Sequence, residues 1–186
     1  MKGNFRHYFY CHPACFQQEL CDFVKDLSKD IPFEKGGIGG TESDARRSDI
    51  KWLPVHSPIG ETIMGLARDV NKHFNLDLSN VESLQYTEYD SKVLGHYDFH
   101  ADVDFFLGET LFDRKLSITV QLSNPEDYEG GDFVIMGREG EVHLPKEAKK
   151  MGTVIAFPSY INHKVSPVTK GLRKSLVSWV VGPRWR

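Results

Sequence analysis

Cysteine is scarce and badly placed for stapling: Cys11, Cys15 and Cys21 are the only three, and all lie in the first 21 of 186 residues. An odd number of thiols confined to one end cannot frame a chain of this length, so free thiols in a reducing compartment are expected. Paired C-x2-C spacing is missing and the cysteines overlap a helical stripe, which disfavours a zinc site. Long apolar runs are missing as well. No stretch of about 18 apolar residues could cross a bilayer, and the opening Met1-Lys2-Gly3-Asn4-Phe5-Arg6-His7 leads into no signal-peptide core, so a cytoplasmic location is expected. Positive charge is not in excess, since 23 basic against 26 acidic residues leave −3 and a pI near 6.2. A polyanion therefore meets no general attracting field, and neither nucleic acid nor membrane is expected as a partner. Internal repeats and low-complexity segments are absent.

What is present suits one core. The chain is 40% hydrophobic and 12% aromatic, and 186 residues fit a single domain over 1–186. Phe16, Leu20, Phe23, Val24 and Leu27 recur at helical spacing between Pro13 and Lys29. Polar residues 30–49, with Gly36, Gly37, Gly39 and Gly40, predict a mobile surface loop, a substrate lid being the functional alternative. A second helix follows, with Ser57 as N-cap, Pro58 in the first turn, and Ile59, Ile63, Leu66, Ala67, Val70 and Phe74 on one face. The first 81 residues thus form a helical support.

From about residue 82 the period changes to 2. Strands are predicted near 83–89, 95–101, 115–122, 132–136, 140–144, 153–157, 162–166 and 173–181. Eight short strands after two helices predict an α+β, mainly β fold, a sandwich or jelly roll with the N-terminal helices packed on one outer face. Leu116, Ile118, Val120 and Leu122 share one strand face, and Ser117, Thr119 and Gln121 share the other. The polar face must meet water or line a polar cavity.

The chemistry-bearing residues sit within that β region. His100 and Asp102 are two apart, so on a strand they project from one face and can chelate one metal. His163 completes a facial triad of two histidines and one carboxylate, the donor set of non-haem Fe(II). Arg173 follows ten residues later, with Ser175 on its strand face, placed to hold a carboxylate bidentately. A second pair, His96 and Asp98, has the same spacing and is expected on the same face; His100 and Asp102 are preferred.

These residues resemble the 2-oxoglutarate and Fe(II)-dependent dioxygenases of the prolyl 4-hydroxylase-like branch. The resemblance covers roughly Arg47 to Val181. It rests on Tyr97 ahead of His100-x-Asp102, the run Leu116 to Leu122, Tyr128-Glu129-Gly130-Gly131-Asp132-Phe133, Gly152 to Pro158, His163-x-Val165 and Gly171-Leu172-Arg173 leading to Trp179. More weakly, Arg47 to Trp52 looks like the strand before the second helix. The resemblance implies a double-stranded β-helix of cupin-like jelly-roll type, with Fe(II) held by His100, Asp102 and His163. It also implies 2-oxoglutarate bound through Arg173 with Ser175, Tyr89 and Gln121, O2 as oxidant, and ascorbate as a candidate reductant.

The implied reaction hydroxylates a peptidyl or protein side chain, proline first, with release of succinate and CO2. Alternatives are action on lysine, on a free small molecule or on a nucleobase, and a non-catalytic jelly roll binding a small acid or sugar. Selectivity is expected from loops 30–49 and 103–114, with Arg46, Arg47, Trp52 and the segment Asp104-Phe105-Phe106-Leu107 near the substrate.

Overall fold

Alternation of side chains across long antiparallel strands sets the architecture. The computed structural model describes residues 8–37, 43–103 and 111–185. The larger sheet has the order β1 (Tyr10–His12), β11 (Val154–Pro158), β7 (Phe112–Gln121), β13 (Val168–Pro183), β5 (Asn80–Asp90), β4 (Asp49–Leu53) and β2 (Glu34–Lys35). The smaller has β10 (Gly140–His143), β9 (Phe133–Gly137), β12 (His163–Val165), β6 (His96–His100) and β3 (Arg46–Arg47). A short β8 (Tyr128–Gly130) pairs with the first residues of β13.

The apolar face of β7 packs outward from the smaller sheet. Leu116, Ile118 and Val120 join Leu84, Leu176 and Val180 in a core closed by two helices, α1 (Gln18–Leu27) and α2 (Pro58–Val70). Helix α2 begins where the Ser57 hydroxyl accepts from the Gly60 amide, 3.3 Å away, with Pro58 in the first turn. It buries Ile59, Ile63, Ala67 and Val70, each isoleucine contributing about 1.5–3 kcal/mol of apolar burial. Helix α1 buries only Cys21 and Val24 fully. Phe23, placed on the apolar stripe from the sequence, is 42% exposed. Adjacent helical residues point about 100° apart, and here Val24, not Phe23, takes the fully buried position.

The opposite face of the larger sheet looks toward the smaller one. Phe133, Ile135 and Val165 from the smaller sheet pack with Tyr89, Ile155 and Phe157 from the larger. Register on this face is set by β13: Arg173 pairs with Tyr89, and Ser175 pairs with both Thr87 and Gln121.

The two helices and eight strand regions expected from the sequence are all present. The strands β1, β2, β3 and β8 were not among those expected, so the N-terminal region supplies sheet edges as well as helices. Part of the predicted 30–49 loop is therefore built into the fold. The Gly36 amide donates to the Ser48 carbonyl at 2.8 Å, and a Cβ at Gly36 would lie 2.2 Å from the Ser48 hydroxyl oxygen. Residues 38–42 of that loop, and Asp104 to Leu107 of the expected substrate border, lie outside the described residues. Among the described residues, no helix is long and apolar enough to cross a membrane.

Gly152 joins the N-terminal segment to the barrel. Its φ of +77° is left-handed, and a Cβ there would stand 1.9 Å from the Phe16 carbonyl oxygen. Its own carbonyl accepts from the Phe16 amide at 2.9 Å, and its amide donates to the Gln121 carbonyl at 2.8 Å. Gly152→Ala is expected to cost more than about 2 kcal/mol, a fall in Tm of roughly 4–8 °C. Thermal unfolding checks this, and an unchanged Tm would contradict the packing described.

Candidate active site

The last residue of β6 and the first of β12 are paired histidines. His100 and His163 are Cα partners across the two strands, and their ring centroids lie 4.2 Å apart. Asp102 follows two residues beyond His100, its amide donating to the Ser159 carbonyl at 2.9 Å. The His100 Nδ1 lies 2.8 Å from the Asp98 carbonyl, and the His163 Nδ1 lies 3.0 Å from that of Ile161. A carbonyl only accepts, so each Nδ1 carries a proton, and in the neutral imidazole with that tautomer Nε2 is the lone-pair donor. Those Nε2 atoms face the same carboxylate, 3.6 Å from Oδ1 for His100 and 3.7 Å from Oδ2 for His163. One ligand atom from each of the three residues falls within 4.8 Å of the others.

A bulge decides which His-x-Asp pair belongs to this group. Four residues of β6, Tyr97 to His100, stand opposite three of β12, Val165 to His163. The extra residue breaks strict alternation, so Tyr97 and His100 face the same way despite their odd separation. Their rings stack with centroids 3.5 Å apart. The expectation that both pairs share a face is thereby corrected. His96 has its ring nitrogens against the carbonyls of Leu94 and Asp44, at 2.8 and 3.0 Å, and Asp98 is exposed.

Burial and charge act in opposite directions on this group. Burial tends to raise the Asp102 pKa, but His163, His100 and a hydrogen bond from Ser117 outweigh it and hold the carboxyl below the usual range. His163 is pushed down to about 4, chiefly by burial, against the pull of Asp102. A neutral imidazole beside an ionised carboxylate is the state a metal ligand set requires.

The three residues line a cavity of about 820 Å³ that Arg173 also lines. Arg173 is 1% exposed, and its Nε and Nη1 are buried without a hydrogen-bond partner among the described residues. Its guanidinium lies over the Tyr89 ring at 5.4 Å, and a Cβ on Gly131 would stand 2.8 Å from its Cδ. Ser175 is buried and lines the same cavity. Gln121 is buried beside them, outside the cavity lining, with Oε1 unpartnered among the described residues.

Toward solvent, Arg114 lies over Trp179 at 4.1 Å and its Nη2 pairs with Glu82 at 2.6 Å. Trp52 stands 6.3 Å from Trp179 and is 42% exposed. Arg46 donates to Gln85 at 2.7 Å and lies over the Tyr97 ring at 4.6 Å. Arg47 is outside the cavity lining and pairs with Asp44. The residues that sequence reasoning missed are Ser117 and Ser159 as partners of Asp102. Ser117 was visible on the polar face of its strand, but nothing local names its partner.

The donor set fits the groups implied. Two imidazoles and one carboxylate suit Fe(II), and a buried guanidinium with unpaired N–H groups suits a carboxylate. Residues 84–181 match the family model of the 2OG-Fe(II) oxygenase superfamily. A PKHD-type hydroxylase from Crocosphaera subtropica is 31% identical over 118 residues, 63% of this chain and 51% of that protein. Another from Janthinobacterium sp. is 44% identical over 90 residues, 46% of this chain and 38% of that one. The chain thus spans about half the length, or less, of these curated relatives. A viral collagen prolyl hydroxylase from Paramecium Bursaria Chlorella virus-1 superposes with a TM-score of 0.69 at 19% identity, covering 95% of this chain and 97% of that one. A Pseudomonas putida prolyl-4-hydroxylase gives 0.68 at 18%, covering 96% and 94%. At those identities the likeness concerns the fold, a double-stranded β-helix.

Metal and co-substrate binding should separate by mutation. His163→Ala is expected to abolish Fe(II) binding, whereas Arg173→Ala keeps Fe(II) but weakens 2-oxoglutarate by about ten- to hundredfold. Anaerobic titration, reading the visible charge-transfer band of the chelate, checks both; loss of Fe(II) binding in Arg173→Ala would contradict the division of roles.

Proposed function

The chain belongs to the 2OG-Fe(II) oxygenase superfamily, and from that membership we propose that it is a dioxygenase hydroxylating a peptidyl side chain, proline before any other residue. One observation carries the reading: the His100, Asp102 and His163 ligand atoms and the buried Arg173 guanidinium, two of whose nitrogens lack a partner among the described residues, share one cavity. When bound there, Fe(II) with 2-oxoglutarate and O2 supplies the oxidation that converts a C–H bond to an alcohol as the co-substrate becomes succinate and CO2.

The protein's own groups do the rest. His100, Asp102 and His163 would hold the metal, and Arg173 would hold the far carboxylate of 2-oxoglutarate in a low-dielectric setting where charge-assisted bonds are strong. Phe133 and Phe157 pack against His163, with ring centroids at 5.4 and 4.5 Å, and exclude water from its flank. Tyr97 stacks on His100 and keeps its ring from turning.

A peptide rather than a free metabolite is favoured by the mouth of the cavity. Trp52 and Phe112 line it and are 42% and 47% exposed, presenting apolar surface to groups flanking the reacting residue. The PKHD-type relatives support a hydroxylase, and the names of the prolyl hydroxylase neighbours put proline first among the residues to test.

Succinate release is expected to rise when proline-containing peptides are added, and not when alanine replaces the proline. Trp52→Ala should raise the peptide KM about tenfold, with 2-oxoglutarate affinity unchanged. Succinate formation indifferent to every peptide tested would overturn the peptidyl assignment.

A further inference from the structure

We propose that Ser117, itself oriented by Ser159, is a positioning residue that fixes the Asp102 carboxylate and thereby sets the metal affinity of the site; this rests on the metal-centre reading above. Asp102 lies beyond the end of β6, outside its ladder, and its backbone is tied through its amide to the Ser159 carbonyl. The terminal torsion of an aspartate is broad, so nothing intrinsic to the residue aims its oxygens. Ser117 supplies the missing constraint. Its hydroxyl donates to Asp102 Oδ2 at 2.5 Å from the larger sheet, across the cavity from the strand that carries His100.

The direction of the chain follows from donor arithmetic. An ionised carboxylate only accepts, so the single Ser117 proton is committed to Asp102. The contact of 3.0 Å between the Ser117 and Ser159 hydroxyls must then have Ser159 as donor. A directed relay results, from the Ser159 hydroxyl to the Ser117 hydroxyl to the carboxylate, in which each bond polarises the next. Ser159 therefore holds Asp102 twice, through its carbonyl and through Ser117. Ser159 and Ser117 are 0% and 1% exposed, so water does not compete for these bonds.

A group that hydrogen-bonds a metal ligand orients it before the metal arrives, and loss of such partners weakens metal binding by about ten- to hundredfold. A serine retained only to pack the strand would alter folding stability without moving metal affinity. Titration of the metal-free protein with Co(II), followed by visible absorption against a competing chelator, distinguishes the two without any turnover.

Ser117→Ala is expected to bind Co(II) about ten- to hundredfold more weakly than the wild type, while Ser117→Thr, which keeps the hydroxyl, stays within about threefold. Ser159→Ala leaves the Ser117 hydroxyl in place but frees it to rotate, and should weaken Co(II) in the same direction. It provides the reading if Ser117→Ala does not fold. Wild-type affinity in Ser117→Ala, or in Ser159→Ala where only that variant folds, overturns the inference and leaves the metal centre standing. A wild-type protein that takes up no Co(II) overturns the metal-centre reading itself.

Discussion

A single extra residue in the pairing of β6 with β12 decides what this protein can do. Were alternation strict, Tyr97 and His100 would face opposite ways, because their separation is odd. The bulge turns both inward, brings His100 opposite His163, and leaves His96 hydrogen-bonded at the back. Everything chemical follows from that placement. The Tyr97 ring braces His100, Asp102 reaches the space between the two imidazoles, and the larger sheet supplies the partners that hold it.

The second constraint is a buried charge. Arg173 is almost fully enclosed, and a guanidinium without a counter-charge is expensive in a protein interior. The fold retains it by packing its stem against Gly131 and its head over Tyr89, while two of its nitrogens stay unpaired. That is the signature of a site awaiting an anion. A dicarboxylate with one end on Arg173 and the other at the metal would relieve both sides of the cavity at once, which makes co-substrate binding the natural resolution of the electrostatics.

The candidate site was more legible in the sequence than the scaffold. His100 stands two residues before Asp102 and His163 ten before Arg173, and the β region that carries them alternates cleanly enough to locate its strands. Edge strands were less legible. Two residues, as in β2 and β3, are too few to display a period, and these strands form because partners elsewhere in the chain offer a ladder. The bulge in β6 was invisible for a related reason, since it exists only relative to β12. Phe23 shows the same limit in a helix: its spacing belongs to the apolar stripe, yet the neighbouring Val24 takes the core position. Ser117 and Ser159 are 42 residues apart, and their convergence on Asp102 depends on the completed sheet.

The proposed reaction moves an oxygen atom from O2 to a peptide. The most direct measurement is mass spectrometry of proline-containing peptides after incubation with the Fe(II)-loaded protein, 2-oxoglutarate and isotopically labelled O2. A hydroxylated proline carrying the label is expected, with succinate formed in step and neither product in Asp102→Ala. Peptides that remain unmodified while the metal and 2-oxoglutarate are demonstrably bound would contradict it.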